Sequence, residues 1–112
     1  MQNSQIPRPK KKSEYTLVFD NSRSARGWRN LEAVRKNDLA DAWDYLTKTP
    51  NLRNAFCNPL KWNLASILRN EIEYEVWQLK LSRTDGSRIW YFIDGQTVVI
   101  FEVFTNHPNQ TK

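Results

Sequence analysis

A chain of 112 residues, 39% hydrophobic and 26% charged, is large enough for one domain with a single modest core. No apolar run approaches the roughly 20 residues that cross a bilayer, and no charged-then-apolar leader opens the sequence, so a cytoplasmic protein without a membrane anchor is expected. The single Cys57 excludes an internal disulfide and any cysteine-based metal cluster; it is expected as a small buried thiol, with a nucleophile as the alternative.

Residues 1–14 read as a disordered basic tail. They hold two prolines and show no apolar period, and Arg8, Lys10, Lys11 and Lys12 stand against Glu14 alone. The tail therefore carries +3 of the net +5, and residues 15–112 form a single, nearly balanced domain. A polyanionic partner must be argued from where cations sit, because overall charge supports it only weakly.

Tyr15-Thr-Leu-Val-Phe19, ended by Asp20-Asn21, predicts a first strand. The apolar period then changes. Ala25, Trp28, Leu31 and Val34 recur every third residue, and Leu39, Ala42, Trp43 and Leu46 follow helical spacing. Two amphipathic helices are expected, with a break near Lys36-Asn37, a cap at Asn37-Asp38 and a stop at Thr49-Pro50. Together they make an αα-hairpin.

Residues 51–70 are the least legible, with Leu60–Leu64 a short strand or an extended connector. From Glu71 the sequence alternates polar and apolar, and the phase flips at Trp77, which predicts a bulge or two strands meeting there. Asp85-Gly86 and Asp94-Gly95 read as hairpin turns on either side of a strand over 87–93. Residues 96–105 are apolar on both faces, as in a central or covered strand. A strand, two helices and an antiparallel meander of three or more strands make an α+β fold.

The segment Ser87-Arg-Ile-Trp-Tyr-Phe-Ile, continuing through the last strand to His107-Pro-Asn-Gln-Thr-Lys112, resembles the C-terminal half of RelE/ParE-type toxins. The likeness is to the subgroup of cytotoxic translational repressors, which run from an Arg-Ile/Val-Trp-Tyr strand to a closing His-Pro-Asn/Lys-x-Thr-Lys. The order of elements extends the resemblance over roughly residues 15–112. It implies a small twisted antiparallel sheet with an α-hairpin against one face. It also implies a cognate antitoxin as partner and, in the RelE branch, cleavage of mRNA on the ribosome without metal or cofactor. The ParE branch has the same fold and poisons DNA gyrase, so fold alone does not choose between them. A degenerate interaction module is a third reading.

Metal-free RNA cleavage uses the substrate's 2′-hydroxyl as nucleophile and asks the protein for a base, an acid and cations for the added phosphate charge. Arg88 is the candidate phosphate clamp, its alternative being a pair with Glu73 or Glu75. His107 suits proton transfer, and the resemblance places the matching histidine in the active groove. Tyr91 is a second proton carrier or a core residue; Trp77 and Trp90 stack on bases or fill the core. Lys61 and Lys112 are candidates for backbone phosphates, and Arg83 is a candidate RNA contact or a solvated charge. Arg23 and Arg26 continue to Arg29 as a basic helical stripe, a solvated face or a docking surface for RNA or an acidic antitoxin segment. Unlike some RelE-type ribonucleases the chain closes on Thr111-Lys112 without a tyrosine, which throws the acid and base roles onto His107 and Tyr91.

Overall fold

A computed structural model of the chain describes residues 6–7, 9–81 and 86–105. Strand β1 (Thr16–Phe19) is followed by helix α1 (Ser22–Val34) and helix α2 (Lys36–Lys48). Asn21 starts α1 from an extended backbone, its side chain accepting from the Ser24 amide at 2.7 Å. A single residue, Arg35, separates the helices, so the break falls earlier than Lys36-Asn37 and Asn37-Asp38 lie inside the first turn of α2 instead of capping it. Asp38 there complements the positive end of the helix dipole. Helix α2 ends before Thr49-Pro50, as expected, because proline has no amide to continue the ladder.

Strand β2 (Cys57–Pro59) leads into a 3₁₀ turn over Trp62–Leu64, where a short strand or extended connector was expected. Strands β3 (Ser66–Arg69) and β4 (Ile72–Glu75) form a separate hairpin, and β5 (Trp77–Lys80), β6 (Arg88–Asp94) and β7 (Thr97–Phe104) form the antiparallel meander. The phase flip at Trp77 is thus the junction of two strands in two sheets. The five-stranded sheet has the order β1-β7-β6-β5-β2. Strand β7 is internal, between β1 and β6, in keeping with its apolar faces, and β6 is the middle strand. Strand β1 runs parallel to β7, which makes the sheet mixed instead of purely antiparallel. The helices lead into β2, which runs opposite to β1, and the successive antiparallel pairings of β2, β5, β6 and β7 leave β7 running parallel to β1.

The β6–β7 turn lies one residue later than Asp94-Gly95, because Asp94 pairs with Thr97 and leaves Gly95-Gln96 in the loop. Gly95 supplies the positive φ, +60°, that such tight turns require. Between β5 and β6 the described ladder pairs Lys80 with Arg88 and reaches Leu81 and Ser87. Of the expected Asp85-Gly86 turn only Gly86 lies within the described residues.

The core lies between the sheet and the helices: Leu31, Leu39 and Leu46 pack on Leu79, Ile89 and Ile100. Helix α1 lies very close to β7 at Gly27, where a Cβ would sit 2.7 Å from the Val103 carbonyl oxygen. The end of the stretch expected as tail is tied to the domain. Glu14 is buried, its amide donates to Lys11 O, Gln96 donates to Ser13 O, and Lys10 bonds Thr16.

Candidate functional site

Alternation along β6 divides its residues between two faces. Ile89 and Tyr91 point into the core beneath the helices, and Arg88, Trp90 and Phe92 point to the opposite face. Pairing register builds that second face. Lys80, Arg88 and Phe104 form one row across β5, β6 and β7, and Asn58, Gln78, Trp90 and Glu102 form the next. Directly opposed residues hold their Cβ atoms about 5 Å apart, so Lys80 and Arg88 are neighbouring cations. A bulge at Phe101 turns the end of β7, and the rings of Phe101 and Phe104 lie 6.5 and 4.8 Å from that of Trp90. The β3–β4 hairpin covers the other end of the face, with Tyr74 stacked on Phe92 at 4.7 Å. Arg69 closes that end with two bonds to Asp20, at 3.2 and 2.9 Å.

Arg88 is 8% exposed. Its Nε donates to the Gly86 carbonyl at 2.9 Å and its Nη1 to Gln78 Oε1 at 3.0 Å. Among the described residues no carboxylate forms an ion pair with it; Glu73 bonds Ser66 instead of Arg88. Burial lowers its pKa, but a guanidinium stays protonated at any physiological pH. The result is a charged group, largely withdrawn from water and held by neutral oxygens, on an aromatic-lined face beside a second cation. Such a group is stabilised by an anion.

This arrangement of elements is similar to a solved one. The YoeB dimer from Staphylococcus aureus matches with a TM-score of 0.57 over 80% of this chain and 93% of that one, at 12% identity. This chain has the YoeB fold. The α+β architecture expected from the sequence is therefore shown for the backbone, whereas side-chain roles do not transfer at that identity. No family model and no curated protein matches the sequence.

Within the YoeB fold of this chain the expected site residues separate. Tyr91 is fully buried on the core side, where its hydroxyl donates to the Pro50 carbonyl and lies 3.1 Å from Cys57 Sγ. Burial, then the neighbouring thiol, pushes its pKa far up, so it carries no proton to or from a substrate. Trp90 is 3% exposed and its indole N–H is bound by Gln78, which removes it as a stacking surface; Trp77 is core. Cys57 is buried, as expected. Arg23 is paired with Glu102, and Arg26 lies exposed on α1, across the sheet from Arg88. Arg23 thus reaches the edge of the Arg88 face at Glu102, in the row beside that of Arg88, whereas Arg26 does not. Lys61 is exposed beside Trp62, itself 89% exposed with a left-handed φ of +56°. Arg83, His107 and Lys112 lie outside the described residues.

Sequence reading missed Lys80, Gln78 and Asn58. Their only signal is register, which pairs them with Arg88 and Trp90 and which no local pattern reveals. Among the described residues no group of three or more His, Cys, Asp or Glu could hold a metal ion, and no helix is long and apolar enough to cross a membrane.

Proposed function

We propose that this protein is the toxin of a type II toxin–antitoxin pair and inhibits translation by metal-independent cleavage of mRNA on the ribosome. The YoeB fold and the closing motif support the class. The observation that carries the chemistry is Arg88, a buried guanidinium that no carboxylate pairs with among the described residues, in the row that ends at Phe104. His107 follows Phe104 by three residues, a tether of at most about 11 Å. In the reaction the substrate 2′-oxygen loses a proton and bonds to phosphorus while the bond from phosphorus to the 5′-oxygen breaks. The products are a 2′,3′-cyclic phosphate and a 5′-hydroxyl. Arg88 binds the non-bridging oxygens as their charge grows, and His107 transfers the proton. Lys80, with Lys61 and Lys112, holds flanking phosphates. The partners are the ribosome with its mRNA and a cognate antitoxin, and the site of action is the cytoplasm.

Inducible expression with mapping of RNA 5′ ends tests the proposal. Translation should stop with new ends inside coding regions, and Arg88→Ala should slow cleavage by about 10²–10³. Intact transcripts accompanied by DNA damage would point to a gyrase poison. If Arg88→Ala and His107→Ala both arrest growth as the parent does, the roles given to them are wrong.

A further inference from the structure

The geometry points to Gln78 as the residue that positions Arg88 for an anion, an inference that rests on the phosphate role given to Arg88 above. Gln78 Oε1 lies 3.0 Å from Arg88 Nη1 and 2.9 Å from Trp90 Nε1. Both are N–H donors, and an amide nitrogen accepts from neither, so the atom between them has to be the oxygen. That oxygen uses both lone pairs to tie a guanidinium to a buried indole. The second hold on Arg88 is the Gly86 carbonyl at Nε. Two acceptors on two of its three nitrogens set the plane of the group, and Nη2 makes no hydrogen bond to a described residue. The guanidinium is therefore turned, not merely tethered.

The choice of an amide follows from charge. A glutamate at position 78 would have the same shape and reach, but its carboxylate would pair with Arg88 and cancel the charge that an incoming phosphate needs. An aliphatic side chain would leave the charge and lose the orientation. Glutamine is the residue type here that supplies a strong acceptor at this reach without a negative charge. Trp90 acts as the fixed post: it is 3% exposed and packed against Phe104, so the oxygen it binds cannot swing away.

The test compares the parent, Gln78→Glu, Gln78→Leu and Arg88→Ala in two assays. One is binding of a short single-stranded RNA, made non-cleavable by 2′-deoxy substitution, as a function of salt. The other is cleavage of mRNA on programmed ribosomes. Gln78→Glu should match Arg88→Ala, losing about tenfold in affinity, with a log–log salt slope shallower by about 0.7 because one phosphate contact is gone. Gln78→Leu should keep the parent's slope and KM while kcat falls about tenfold, the signature of lost transition-state orientation. Parent-like binding in Gln78→Glu overturns the inference. So does a loss in both variants that tracks a lower melting temperature and leaves the slope unchanged. Should Gln78→Glu fail to fold, a parent-like kcat in Gln78→Leu overturns it alone. If the parent binds RNA with a steeper slope than Arg88→Ala yet cuts no transcript, the ribonuclease reading falls and the binding series still decides the role of Gln78.

Discussion

Arg88 and Tyr91 lie on one strand, three residues apart, and the sheet sends them to opposite environments. Alternation predicts that they face opposite ways, and they do. It does not predict depth. Tyr91 is legible as a residue near the candidate site but not as one whose hydroxyl is enclosed by Pro50 and Cys57, because those partners come from 41 and 34 residues away. The same holds for Trp90, whose burial depends on Phe101 and Phe104 across the β7 bulge. Tyr91→Phe should therefore act on stability and not on chemistry. Removing the hydroxyl leaves the buried Pro50 carbonyl with only the weak Cys57 thiol donor at 3.9 Å among the described residues, which costs about 1–3 kcal/mol. Thermal unfolding should show the loss, and the cleavage rate of the folded variant should stay close to the parent's. A variant as stable as the parent but unable to cut RNA would return Tyr91 to the reaction.

At the scale of elements, the helices and the meander are legible because their apolar periods are long and regular. The parallel pairing of β1 and the β3–β4 hairpin are not. Strand β1 is only four residues long, and no local pattern says which neighbour it joins. The turn of the hairpin, Asn70-Glu71, places two non-glycine residues at φ +52° and +66°, without the glycine that marks such turns. Gly27 shows how a helix-disfavouring residue can be required by packing. Glycine inside a helix is about 1 kcal/mol worse than alanine, yet a Cβ here would meet the Val103 carbonyl oxygen at 2.7 Å and Val103 Cβ at 2.9 Å. Backbone cannot step aside as a side chain can. Gly27→Ala should thus lower stability by about 1–2 kcal/mol despite its better propensity, seen as a fall in melting temperature of about 4–8 °C per kcal/mol. A rise would mean that α1 shifts freely on β7.

The β3–β4 hairpin is held over the sheet in part by Arg69 and Asp20. The hydrogen bonds from Arg69 hold the Asp20 carboxyl below its ordinary range, against the opposing effect of burial. A carboxyl with a depressed folded pKa contributes stability that is complete above its unfolded pKa and lost as pH falls through the folded one. Asp20→Asn should speed amide exchange in 66–75 at neutral pH, and the difference from the parent should begin to shrink below about pH 4 and disappear only once the pH has fallen through the lowered folded-state pKa. A difference that grows in acid would contradict this pairing.

For the whole molecule, the position of charge matters more than its sum. Lys10 bonds Thr16, which pairs with Thr97 at the start of β7, whereas Arg88 pairs with Phe104 at its end. Seven residues of strand separate those two points, about 23 Å at 3.3 Å per residue. That exceeds the Debye length of about 8 Å at physiological salt, so the cluster of Lys10, Lys11 and Lys12 is screened from the Arg88 face. Lys80 is not; it sits beside Arg88 in the same row. Replacing Lys10, Lys11 and Lys12 by serine removes three of the five excess positive charges, yet should leave the affinity for a four-nucleotide single-stranded RNA nearly unchanged. Lys80→Ala removes one charge and should weaken binding severalfold, with the salt slope reduced by about 0.7. Should the tail substitutions prove the more damaging, the RNA would lie along the β1 end of the molecule, and the phosphate-binding face would have to be sought there and not around Arg88.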